Sequence, residues 1–143
     1  MKDLVASLDC GTTTIKAAVI DLEGRVRGLS QAPCGIIYHK DGCIEQDPGK
    51  MIRSAFSCLK KAVSSSRVDP RRITAVSVAS QRASVICVDS RGRPVGNVIS
   101  WQDMRGGQET ERLGSLIDDK SYYGMTGVPN NPVFSLSKIL WLK

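Results

Sequence analysis

The sequence predicts an α/β domain whose mixed sheet opens with a three-strand antiparallel meander. Three observations lead there. Apolar, β-branched runs at 4–8, 15–20 and 26–32 are separated by tight turns and read as consecutive strands. From position 48, apolar residues at 51, 52, 55, 56, 59, 62 and 63 mark one face of a helix. After that helix, Ile73 to Ser80 is a Val- and Ala-rich run apolar enough for burial on both faces, the pattern of an interior strand.

The first turn carries unusual chemistry. Asp9-Cys10-Gly11-Thr12-Thr13-Thr14 joins the first two strands with a carboxylate, a glycine and three successive hydroxyls. Gly11 admits a positive φ and lets a ligand approach the backbone. Successive N–H groups of a bent loop form an anion-binding concavity, to which Thr12 and Thr13 add donors. Asp9 is suited to a divalent cation held through water, as Mg²⁺ prefers, and Lys16 adds a point charge for a phosphate. Together these residues predict a nucleotide-phosphate site.

Asp47 and Pro48 are a helix N-cap and first helical residue. Met51, Ile52, Phe56, Leu59 and Val63 are expected to pack on the sheet, and Glu45 to serve the helix entrance. The strand 73–80 runs into Gln81-Arg82-Ala83-Ser84, and ligands gather at the carboxyl ends of strands in open α/β sheets. A planar amide beside a guanidinium suits vicinal hydroxyls. Positions 85–88 and 95–100 read as a hairpin delivering Trp101-Gln102-Asp103-Met104-Arg105. An indole face covers sugar C–H groups and a carboxylate accepts from hydroxyls; Asp103 also reads as N-cap of a weakly written helix through 106–117. Positions 122–132 read as a loop, and a last amphipathic helix includes Leu136, Ile139, Leu140 and Trp141.

Composition narrows the function classes. The 143 residues suffice for the core of one ordinary domain. Twenty Lys and Arg against fourteen Asp and Glu suit phosphorylated ligands, but the basic residues are scattered and aromatics few, which argues against nucleic acid. Five cysteines without a Cys-x-x-Cys pair argue against a disulfide framework and fit a reducing cytoplasm. Cys34, His39 and Cys43 lack a fourth ligand for zinc. No charged-then-apolar leader and no membrane-length apolar run is present. A soluble cytoplasmic protein is expected.

LDCGTTTIKAAVID resembles the first phosphate motif of the sugar-kinase, heat-shock chaperone and actin superfamily. With EQDP, SQR, ISWQDMR and TGVPNNPVFSLSKILWL in this order, the whole chain resembles the amino-terminal part of the FGGY carbohydrate kinases. The resemblance implies a ribonuclease H-like, actin-like ATPase fold, with ATP and Mg²⁺ as cofactors and a sugar or polyol as acceptor. It places Asp9 near Mg²⁺ and Gly11, Thr12, Thr13 and Lys16 at the phosphates. Gln81, Arg82, Trp101 and Asp103 fall on the acceptor side. It also implies that 1–143 is a partial first domain, incomplete at its last strand. The general-base Asp and the nucleotide-holding second domain are then expected beyond Lys143, leaving no catalytic residue here and little activity in this chain alone. Asp103 is the one local substitute for that base. Glycerol kinases carry Glu at the position of Ala83 and Tyr at that of Val133, so a ketose, sugar acid or longer polyol is expected in preference to glycerol. Met-His, which xylulose kinases have in place of Arg82-Ala83, is also missing. Two other readings stand beside this one. One is a short non-catalytic binding module, with self-association through a strand edge left open at 73–80. The other is a ribonuclease H-type nucleic-acid factor, which would need more carboxylates clustered with Asp9.

Overall fold

The computed structural model describes residues 3–143, which form two compact units: residues 3–36 with 47–81, and residues 37–46 with 82–143. In the first unit, β1 (Leu4–Cys10), β2 (Thr14–Asp21) and β3 (Val26–Pro33) make the expected meander. The helix α1 (Pro48–Ser66) and a 3₁₀ turn (Pro70–Arg72) lead to β6 (Ile73–Ser80). The sheet order is β3-β2-β1-β6, with β6 parallel to β1 and the other pairs antiparallel. Such a mixed sheet follows from chain logic: tight turns join antiparallel neighbours, whereas the parallel strand needs a helical crossover.

One face of this sheet is the core. Leu4, Leu8, Ile15, Ala17 and Val19 are buried under Cys58 and Ala62 of α1. Side chains alternate along strands, so Asp9 and Lys16, directly opposite each other in the β1–β2 register, project from the other face. The Asp47 carboxylate accepts from the Lys50 N–H at 2.9 Å and opens α1 as expected. The anticipated stripe of α1 holds at Met51, Leu59 and Val63, which pack against the core, and fails at two positions. Phe56 is 70% exposed and Ile52 56%, and the small residues Cys58 and Ala62 face the sheet instead. Close approach selects them: a Cβ on Gly28 of β3 would lie 2.2 Å from the Ala62 carbonyl oxygen. Helix and strand therefore touch backbone to backbone at this point, and Ile52 and Phe56 are turned to the flank. Gly28→Ala is expected to destabilise the domain by about 3 kcal/mol through overpacking, read as a lower urea midpoint. An unchanged midpoint would mean that α1 can retreat at no cost.

The strand β6 lies at the open edge expected at 73–80, and departs only from the burial its composition indicated. Residues 74–80 are all exposed, with Val76 at 58% and Val78 at 63%. Composition anticipated burial on both faces, but β6 is the sheet edge and α1 packs on β3 and β2. Apolar content records what a strand can bury, and its neighbours decide what it does bury.

In the second unit, β4 (Ile36–Tyr38), β5 (Ile44–Gln46) and β7 (Val98–Ile99) form a small sheet in that order. The expected hairpin exists in reduced form, through single bridges at Val85–Ile99 and Val88–Pro94. Three helices follow, α2 (Gly107–Leu116), α3 (Asp119–Thr126) and α4 (Ser135–Leu142). The helix α3 occupies part of the segment read as a loop. Asp118 caps it through the Ser121 N–H at 3.0 Å and Gly127 closes it in the left-handed region, so local capping outweighs the glycine content. No described helix is long and apolar enough to cross a membrane.

Candidate functional site

The turn from Cys10 to Thr14 is shaped by backbone constraints within the first unit. A Cβ on Gly11 would sit 2.8 Å from the Thr14 carbonyl oxygen, so the bend closes this tightly only with glycine. Its carbonyls are tied down from outside: Cys34 N–H donates to Thr13 O at 2.8 Å, and Gln81 N–H donates to Cys10 O at 3.0 Å. The second bond brings the end of β6, and the backbone of Gln81, against the turn. Among the described residues, nothing accepts the N–H groups of Gly11 and Thr13. Thr13 is exposed, as are Asp9 and Lys16. The Asp9 carboxylate has no hydrogen bond or ion pair with a described residue. Open donors over a rigid bend, flanked by an uncommitted carboxylate and an ammonium, suit the oxygens of a phosphate and a hydrated Mg²⁺.

Arg82 and Trp101 fall in the second unit. Arg82 is exposed, and its guanidinium has no hydrogen bond or ion pair with a described residue; Trp101 is half-buried. Asp103 corrects two expectations. It does not cap α2, whose N-cap is Gly106 without a side-chain bond. Nor is it open to a hydroxyl. Its side chain is fully buried, Oδ2 accepting from Ile44 N at 2.6 Å and from Arg105 Nη2 at 2.8 Å. Oδ1 accepts from Arg105 N at 2.9 Å and Arg105 Nε at 2.8 Å. A carboxylate has about four lone-pair sites, and all are used. The same saturation removes Asp103 as a substitute base. Burial pushes its carboxyl up, but the Arg105 guanidinium and the two backbone donors outweigh that and hold it below the ordinary value.

Arg105 is the residue that sequence reasoning passed over. Its side chain is 10% exposed, its guanidinium also reaches Glu45 Oε1 at 2.8 Å, and it lies 4.9 Å from the Trp141 ring centroid. The Asp103 bonds, and then Glu45, raise its pKa further above the usual arginine value. Glu45 is held low by Asn97 first and Arg105 next, against its own burial. Its role is this ion pair rather than the entrance of α1. The Asp-x-Arg spacing was the available signal, since a guanidinium two residues on can return to the same carboxylate as a fork. Nearby, Lys138 is fully buried, with Nζ donating to Pro132 O at 2.6 Å and Val133 O at 2.8 Å. Burial depresses its pKa. His39 lies 3.2 Å from Glu45 Oε2, and no group of three potential metal ligands exists among the described residues. All five cysteines are free.

Sheet topology and the likeness to solved structures define the class first: an α/β domain with the actin-like ATPase fold. The chain belongs to the FGGY family of carbohydrate kinases, matching the family's N-terminal domain over residues 4–143. It is 32% identical over 146 residues to glycerol kinase of Thermococcus kodakarensis, covering 99% of this chain and 28% of that protein. The ligand-bound xylulose kinase from Lactobacillus acidophilus superposes with a TM-score of 0.88 at 25% identity, over 97% of this chain and 28% of that one. Plasmodium falciparum glycerol kinase with ADP shares the fold at a TM-score of 0.84 and 24% identity, again over 97% and 28%. This chain thus spans 28% of the length of each of these relatives.

Proposed function

We propose that this chain provides the phosphate turn and part of the acceptor site of a kinase that moves the γ-phosphoryl group of ATP to a hydroxyl of a sugar or polyol. The observation that carries the reading is the Asp9–Thr13 bend, with its unaccepted N–H groups and free carboxylate, in a chain of this family. Asp9 would hold Mg²⁺, which supplies neutralisation of charge spread over the phosphate oxygens. Gly11 and Thr13 donate backbone N–H groups to those oxygens, Thr12 and Thr13 add hydroxyls, and Lys16 adds a cation. Positioning and charge neutralisation account for most of the catalysis of phosphoryl transfer. On the acceptor side, Arg82 and Gln81 bond vicinal hydroxyls and the Trp101 face covers C–H groups. The proton of the attacking hydroxyl goes to a carboxylate in the part of such a kinase beyond these residues, together with a second, nucleotide-holding domain. Ala83 and Val133 stand where glycerol kinases carry Glu and Tyr, and the loss of those contacts favours a ketose, sugar acid or longer polyol.

The test is ATP-dependent phosphorylation by the complete enzyme across a panel of ketoses, sugar acids and polyols. Turnover of one of these above glycerol is expected. A panel with no phosphorylated product, from protein that binds nucleotide, would leave the binding-module reading instead.

One feature favours self-association of the 143-residue chain under either reading. Ile73 to Ser80 contains no charge and no proline, the usual guards of an edge strand. A second copy is its occupant, pairing β6 to β6 so that Val76 and Val78 meet across the junction. Light scattering on purified chain is expected to give a dimer that Val78→Lys converts to monomer; a monomeric parent chain would refute the pairing.

A further inference from the structure

We infer that Ser84 is a positioning residue for the acceptor wall, setting Trp101 relative to Arg82; the acceptor role rests on the kinase reading above. Three facts of the second unit carry it. The Trp101 N–H donates to Ser84 Oγ at 3.1 Å. Two residues before Trp101, Val85 and Ile99 exchange backbone bonds, Val85 N–H to Ile99 O at 3.0 Å and Ile99 N–H to Val85 O at 2.8 Å. Between Arg82 and Ser84, Ala83 holds a φ of 59°, one of only two non-glycine residues in the left-handed region among the described residues.

These facts describe one device. The Val85–Ile99 bridge fixes the register of the two segments. Beyond it the Ser84 hydroxyl accepts from the Trp101 N–H. A left-handed alanine persists only where its surroundings over-determine it, and Ser84 and Val85 are the anchors on its C-terminal side. On the other side the chain leads at once to the exposed guanidinium of Arg82. Loss of the Ser84 hydroxyl removes this tether between Trp101 and the loop and lets Ala83 relax toward negative φ, which moves Arg82 against the indole. Gly at position 83 relieves the backbone constraint and loosens Arg82 in the same way.

Three variants of the complete enzyme test this. Ser84→Ala is expected to raise KM for the acceptor about tenfold, the worth of one hydrogen bond, with KM for ATP unchanged. Ser84→Thr keeps the hydroxyl and restores the acceptor KM. Ala83→Gly raises the acceptor KM while its melting temperature holds or increases, which a merely structural role does not predict. Amide exchange supplies a readout independent of turnover: the Trp101 amide exchanges faster in Ser84→Ala, recovers in Ser84→Thr, and the Ile99 amide stays protected throughout. An unchanged acceptor KM, or an unchanged Trp101 exchange rate, overturns the inference. A parent enzyme that phosphorylates no acceptor removes the kinase reading and the acceptor role with it, and the exchange result then decides the tether alone.

Discussion

Asp9→Asn is expected to lower ATP-dependent phosphorylation by the complete kinase on the order of a hundredfold to a thousandfold, the several kcal/mol a metal contributes to transition-state charge. The substitution keeps the shape of the side chain and removes its charge. Asp9 is exposed and has no hydrogen bond or ion pair with a described residue, so the fold loses nothing by the change. Its unfolding midpoint should therefore match the parent's. Initial rates across a Mg²⁺ titration distinguish the cause, because a weakened metal site demands more Mg²⁺ for half-maximal rate. Unaltered rates with an unaltered Mg²⁺ requirement would show that the carboxylate faces no metal.

The second large effect is on stability. Arg105→Ala should destabilise the chain by about 3–5 kcal/mol, the usual cost of leaving one member of a buried pair alone. Against a typical domain stability of about 5–15 kcal/mol, that endangers folding at 37 °C. Asp103 would keep its fully buried carboxylate with only two backbone donors, Glu45 would lose its guanidinium, and Trp141 its stacked cation. Arg105→Lys is a poor rescue, since an ammonium cannot form the fork across both Asp103 oxygens. The pH dependence carries a sign that separates this account from a general packing loss. Asp103 and Glu45 are both lowered on folding. Their stabilisation is complete above the unfolded carboxyl values of about 4 and fades as pH falls through the folded ones. In Arg105→Ala the burial of Asp103 is no longer offset, its carboxyl rises, and mild acid should relieve part of the damage. Urea midpoints at pH 7 and pH 4.5 measure it: the gap between parent and variant should narrow in acid, and a constant gap would contradict the role given to Asp103.

Legibility of the site in the sequence depended on the range of the interaction involved. The Cys10–Thr14 bend could be read because its constraint is contiguous: Gly11 must be glycine on account of Thr14, three residues away. The N-cap at Asp47 and the meander follow from contacts of similar reach. The helix α3 was equally local, and its Asp118 and Gly127 caps were signals present but outweighed by glycine and proline content. Asp103 misled for another reason. A carboxylate beside a Trp looks the same in a string whether its partner is a sugar or an arginine, and only burial separates the two.

Residue order alone therefore established the mixed α/β class, the glycine-closed bend between the first two strands and the family to which the chain belongs. Folding decided that Asp103 is spent on Ile44 and Arg105, that Glu45 joins them and that Phe56 turns outward. Ile44 stands 59 residues from the Asp103 carboxylate it bonds, and Glu45 stands 60 from Arg105. Backbone preferences act over a few residues, whereas the desolvation that commits a charge arises only when distant segments close around it.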